Sequence, residues 1–295
     1  MPVSGTARKA STLSILRSIV DRAPPLANIV RNLRDDRAFK AMSLQDVPGH
    51  DLRIWGGSWL AAGHYEDQGR FHEMQEIELF SRVLATVEML IDVGANNGLF
   101  SLVAASKGLS VLAVEPMLAN VAMLGRNLRE NDLEARVEVF QVAASHRVGL
   151  ADMYGRGQMA SLITNWNKNP TFDKKLVPTN TLDNLFAART AGRSFAMKVD
   201  VEGAELAALS GARKLLAQKP YVLIENCLNF EQQEEGVTSF VRVFDMFWKE
   251  GYTAIVADDT RAAVNSSIAA RWVENKRVDA KTVNFLMIPP GGSAH

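Results

Sequence analysis

From about Glu88 onward, short apolar segments alternate with amphipathic ones, and this rhythm predicts an α/β protein: a doubly wound sheet with helices on both faces. Two further observations support that class. The strand segments read as nearly continuous apolar runs, as strands do when both faces are covered. A turn bracketed by Gly94 and Gly98 follows the first strand, and Glu115 ends the second. Strand, glycine turn, helix, strand, acid is a nucleotide-binding order.

The N-terminal segment, residues 1–50, reads as a helical extension. Leu13, Leu16, Ile19 and Val20 share one helical face, and Leu26, Ile29, Val30 and Leu33 another, with Pro24-Pro25 between them. Arg17, Arg22, Arg31, Arg34, Arg37 and Lys40 make the segment basic. Its apolar stripes suit a cap packed on the main domain, and its charge suits peripheral contact with anionic lipid or an acidic acceptor. Residues 51–290 read as the main domain. They begin with an approach or lid segment, 51–84, in which Trp55 to Trp59 looks like a turn between strands and Met74 to Leu84 a helix. Strands are expected at 89–93, 110–114, 137–142, 195–199, 221–225, 253–256 and 283–288. Helices are expected at 99–106, 118–130, 204–216 and 237–250. Residues 148–154 read as extended, and 155–178 as a polar loop. Residues 291–295 read as a disordered tail.

Composition narrows the function. Of 295 residues, 47% are apolar and 22% charged, and 33 basic residues balance 33 acidic ones. A neutral chain has no global field for a polyanion, which argues against nucleic acid as partner. A single cysteine, Cys227, leaves no internal disulfide and no cysteine zinc cluster. No apolar run reaches the roughly 20 residues of a membrane span, and the N-terminus lacks a secretory pattern. A cytoplasmic location is expected, with the oligomeric state left open.

On strand order and Glu115 alone, both NAD and S-adenosylmethionine fit. The loop separates them. A pyrophosphate sits close against backbone N–H groups at a helix start, where this chain carries the side chains of Asn96 and Asn97. Asp92 places a carboxylate at the strand end, which repels pyrophosphate and suits the ammonium of a methionine moiety. Glu115 is placed to accept the ribose hydroxyls.

Three runs carry a family resemblance: Asp92-Val93-Gly94-Ala95-Asn96-Asn97-Gly98, Val114-Glu115-Pro116, and Lys198-Val199-Asp200-Val201-Glu202-Gly203-Ala204-Glu205. Together they resemble the FkbM family of S-adenosylmethionine-dependent methyltransferases over roughly residues 60–290. Thr181-Leu182-Asp183 and Val222-Leu223-Ile224-Glu225 are similar to later segments of that family. The resemblance implies the class I methyltransferase fold, Rossmann-like, with seven strands and the last antiparallel. It also implies transfer to oxygen, often a hydroxyl of a sugar, glycosylated or polyketide-type small molecule.

An alcohol is a weak nucleophile until its proton is taken, so a base near the methyl helps. Asp200 follows the strand beside the glycine loop and is the first candidate to orient or deprotonate the acceptor; Glu202 is the second. The cofactor side is assigned to Asp92, Gly94, Ala95, Asn96, Asn97, Gly98, Glu115 and Pro116, with Val142 and Ala143 as an adenine wall. Asp200 with Glu225-Asn226 resembles the metal layout of catechol-type methyltransferases, but no metal ligand is assigned. His64, His72 and His146 are weaker base candidates. In the polar loop, Ser161 is a candidate lining residue, and Trp166 and Phe172 are candidates to anchor the loop or to stack on a sugar or ring. The competing reading is a scaffold or regulatory subunit that binds S-adenosylmethionine without turnover.

Overall fold

The computed structural model describes residues 43–56, 74–155, 157, 160–164, 166, 174–228 and 233–293. The two expected N-terminal helices, His64, His72 and Phe172 lie outside these residues.

The first described elements are a hairpin, β1 (Ser43–Asp46) with β2 (Arg53–Gly56), in which Leu44 pairs with Trp55. Two expectations change here. Residues 43–46 are strand rather than part of a helical extension, and Trp55-Gly56 is strand rather than turn. The reversal falls earlier, where the Val47 and Leu52 backbones bond at 2.9 Å and Gly49 takes φ +75°.

Helix α1 (Met74–Leu84), expected from the sequence, buries Ile77, Phe80, Val83 and Leu84. Next come β3 (Met89–Val93), α2 (Leu99–Ser106), β4 (Ser110–Val114), α3 (Leu118–Glu130) and β5 (Val137–Phe140). A side layer follows: β6 (Ala143–Ala144), β7 (Gly149–Tyr154) and β8 (Lys174–Asn180), in the order β6-β8-β7. The chain then runs through α4 (Leu182–Phe186), β9 (Phe195–Val199), α5 (Glu205–Ser210), α6 (Arg213–Leu216) and β10 (Tyr221–Glu225). It ends with α7 (Gln233–Trp248), β11 (Thr253–Val256), β12 (Ala263–Val264), α8 (Ser266–Glu274) and β13 (Asn284–Ile288).

The main sheet has eight strands in the order β12-β11-β13-β10-β9-β3-β4-β5. Seven match the expected sheet, and the two-residue β12 adds an edge. β13 runs antiparallel to both β10 and β11, while β10, β9, β3, β4 and β5 are parallel neighbours. The strands are mostly apolar, yet their two faces separate cleanly. Met89, Ile91, Val93, Met197, Val199, Val222 and Ile224 pack in one core; Leu90, Ala196, Leu223 and Leu286 pack in the other. That is the period-two geometry of a strand with helices on both sides.

The helix expected over 204–216 is two short helices. The break sits at Gly211, where a Cβ would lie 2.1 Å from the Ser145 carbonyl oxygen, so the chain is pinned against the side layer. The Asp183 carboxylate then accepts the Lys214 and Leu215 amides at 3.0 and 3.1 Å, satisfying N–H groups at the start of α6. The tail expected to be disordered is held as far as Ser293, whose amide donates to the Tyr221 hydroxyl at 3.0 Å. Among the described residues, no helix is long and apolar enough to cross a membrane.

Candidate active site

The chain leaves β3 toward β4 and β5 on one side and reaches β9 and β10 on the other, so strand order reverses between β3 and β9. Ligands of open α/β sheets bind outside the carboxyl ends of the strands at such a point. A cavity of about 350 Å³ lies there. Its wall carries the carboxyl residues Asp92, Glu115, Asp200, Glu202 and Glu225, with Lys198 among them.

The loop after β3 is shaped by close backbone approach. The Gly94 and Ala95 amides both donate to the Val114 carbonyl, at 2.9 and 3.0 Å. Gly94 sits at φ +81°, and a Cβ there would fall 1.7 Å from the Asp200 carbonyl oxygen. Only glycine lets the ends of β3 and β9 meet this closely. Gly98, at φ +93°, opens α2 against Leu124. Asn96 is left-handed at φ +52°. Its amide donates to Glu115 Oε2 at 2.9 Å, and its buried Oδ1 has no hydrogen-bond partner. The Asn97 carbonyl accepts from Asn127 Nδ2 at 2.9 Å.

The two acids at this end are buried in different ways. Asp92 accepts from Ser101 Oγ at 2.6 Å; burial pushes its carboxyl above the usual range, and Lys198 opposes that shift. Glu115 Oε1 accepts from the Met117 amide at 2.8 Å and from Asn120 Nδ2 at 3.1 Å. Burial still outweighs these bonds and pushes Glu115 up to about 7.

At the end of β9 the charges crowd. Lys198 Nζ lies 2.8 Å from Asp200 Oδ2 with only 3% of its side chain exposed, and 4.7 Å from the Phe100 ring centre. Lys198 pairs in register with Asp92, so both project from the same face of the sheet. Glu202 and Gly203 are both left-handed, at φ +54° and +94°. Burial, then the charge of Asp200, push Glu202 up to about 8. Glu205 accepts the Val201 and Gly203 amides at 3.2 and 2.9 Å, and burial pushes it up to about 7. Glu225 is pushed well above the carboxylate range, first by Asp200 and then by burial.

Of the residues expected at the site, Asp92, Gly94, Ala95, Asn96, Asn97, Glu115, Pro116, Ala143, Asp200 and Glu202 line the cavity. Two do not. Gly98 packs under α3 against Leu124, and Val142 points into the main core, its neighbour Ala143 facing the other way. His146 is exposed and off the cavity wall. Ser161 is fully buried rather than on the wall. The sequence reading missed Asn120, Lys198 and Met153 on the wall. Asn120 lies in the first turn of α3, five positions after Glu115. Among the described residues, no group of three or more His, Cys, Asp or Glu is placed to hold a metal ion.

A sheet in this order with β13 antiparallel, and an acid-lined cavity beside a glycine turn at its switch point, define the class I methyltransferase fold. The methyltransferase FkbM domain matches residues 92–254, and the chain belongs to that family of S-adenosylmethionine-dependent methyltransferases. Similar solved structures include a methyltransferase FkbM from Methylobacillus flagellatus, 19% identical, over 68% of this chain and 43% of that one, with TM-score 0.41. The chain thus spans less than half the length of that relative. Another is an O-methyltransferase from Bacillus cereus in complex with SAH, 11% identical, over 72% and 78%, with TM-score 0.40. A third is a SAM-dependent methyltransferase from Agrobacterium tumefaciens, 13% identical, over 68% and 58%, with TM-score 0.36. No curated protein matches the chain.

Proposed function

We propose that this chain is an O-methyltransferase acting on a hydroxyl of a small-molecule, sugar, glycosylated or polyketide-type acceptor. One observation carries the reading: a single cavity brings together the cofactor-side acids Asp92 and Glu115 and, at the adjoining strand end, Asp200.

The residues fit S-adenosylmethionine. Glu115 can accept from the ribose hydroxyls with the lone pairs its three protein donors leave. The unpartnered Oδ1 of Asn96 supplies an acceptor for an ammonium or hydroxyl donor. Met117, Ala143, Met153 and Ala160 form a small apolar cluster suited to a flat base. When bound, S-adenosylmethionine supplies a methyl group on a sulfonium, a good leaving group. Asp200 then orients the acceptor hydroxyl and takes its proton, with Lys198 fixed beside it as a buried cation. Glu202 supports the same wall.

Calorimetry with S-adenosylmethionine, SAH and NAD tests the cofactor: binding of NAD without S-adenosylmethionine sinks the reading. A labelled-methyl assay over hydroxylated small molecules and glycosides tests transfer. SAH binding with no methyl transfer to any of them favours the scaffold reading.

A further inference from the structure

The turn that carries Glu202 is held from outside the main sheet. Trp166 is buried, and its Nε1 donates to Glu202 Oε2 at 2.7 Å. Its ring lies on the backbone of Gly203: a Cβ there would fall 2.4 Å from Trp166 Cε3. Glycine is therefore needed at 203 both for φ +94° and for the indole. Ser161 Oγ donates to the Glu202 carbonyl and accepts the Ile163 amide at 2.9 Å. Ser161 is in turn bonded through its own amide and carbonyl to Tyr154, at 3.0 and 2.8 Å, at the end of β7.

The neighbours of these anchors reach the cavity. Gly157, Ala160 and Leu162 are on its wall. The Gly157 carbonyl accepts from Asn120 Nδ2, the same nitrogen that donates to Glu115. One face of the cavity is thus tied to Glu115 at one end and to Glu202 at the other.

We propose that Trp166 is a positioning residue of this site: through Glu202 it holds Ala160 and Leu162 against the cofactor cavity and so sets how tightly the cofactor is retained. This rests on the reading of the cavity as a site for S-adenosylmethionine and adds a residue that touches no reacting atom.

The test is a double-mutant cycle read by SAH calorimetry on the full chain. Trp166→Phe removes the N–H donor together with part of the indole that lies on Gly203, while keeping an aromatic ring in the anchor. Glu202→Ala removes the acceptor. Each is expected to weaken SAH binding by about tenfold, roughly the worth of one hydrogen bond to a carboxyl. The loss in the double variant should fall well short of the product of the two single losses, because the two share the Trp166–Glu202 hydrogen bond. A Trp166→Phe affinity within twofold of the unaltered chain overturns the proposal, as do losses that multiply in the double variant. If Trp166→Phe fails to fold, Ser161→Ala probes the same anchor by removing one hydroxyl. About threefold weaker SAH binding is then expected, and unchanged binding overturns the proposal. Failure of the unaltered chain to bind SAH overturns both this inference and the function it rests on, whereas normal SAH binding by Trp166→Phe overturns this inference alone.

Discussion

The loop after β3 and the turn after β9 lie side by side, and both depend on left-handed residues, but they treat charge in opposite ways. In the first, Glu115 is held by three protein donors: the Asn96 and Met117 amides and the Asn120 side chain. In the second, Asp200, Glu202 and Glu225 face one another with Lys198 close to one of them, and the carboxyls of Glu202 and Glu225 are pushed upward largely by burial and by Asp200. Perturbed carboxyls of this kind gather at reacting centres. Under the proposed function, the first region retains the cofactor and the second handles the acceptor proton.

The sharpest way to break that contrast is at the contact between the two. Gly94→Ala introduces a Cβ 1.7 Å from the Asp200 carbonyl at φ +81°. It should cost about 3 kcal/mol or more, lower the melting temperature by roughly 10 °C and abolish SAH binding in calorimetry. A well-folded, SAH-binding Gly94→Ala variant would show the two regions to be independent. Next in size, Asp200→Asn should lower methyl transfer by about 10²–10⁴ while SAH affinity stays within about threefold. Equal loss of both would merge the two roles.

Glu115→Gln sharpens the first region. Glu115 is pushed up to about 7, and its ionised form is the better acceptor for hydroxyls. Affinity for S-adenosylmethionine should therefore rise with pH through about 7. The glutamine variant should bind about tenfold more weakly at pH 8 and show no such rise, which calorimetry at several pH values will reveal.

The smallest effect is on stability. Glu115, Glu202 and Glu205 have folded-state values of about 7, 8 and 7, above the roughly 4.3 of an unfolded glutamate. The folded state holds more protons in that window. Their contribution is thus full below about 4.3 and is lost as pH rises through 7 to 8. The ligand-free protein should melt several degrees lower at pH 8.5 than at pH 5.5, and a melting curve that rises over this range would contradict the buried, proton-holding cluster.

Most of the parallel sheet was legible because its strands are apolar runs bounded by turn residues. β3, β4, β9 and β10 fall at the expected residues, as do α2 and α3. What escaped had no local signal. β8, read as loop, is mostly exposed and includes Pro178; it is a strand because it pairs with β7, Pro178 opposite Leu150. α8 buries only Ala269 and Trp272, too few for a helical period; its cap, Asn265 accepting the Ile268 amide at 3.0 Å, shows only in the structure. At the site, the glycine turn, Glu115 and the Asp200 segment were readable because each is a contiguous motif. Asn120 was not; Lys198 was read only as part of the Asp200 segment and Trp166 only as a loop residue, because their partners Asp200 and Glu202 are set by the fold.

The sequence by itself determined the fold class, the glycine loop after β3 and the acids to inspect. Hydrophobic period, glycine placement and capping are local properties, and local properties are written in neighbouring residues. Only the tertiary structure decided which acids share a cavity, why Gly94 and Gly203 admit no side chain, and how an indole from the side layer reaches Glu202. Those outcomes depend on strand order and on backbone approaches of a few ångströms between distant segments. Burial and charge then follow from that proximity, since desolvation and Coulomb energies depend on distance in space and not on spacing along the chain.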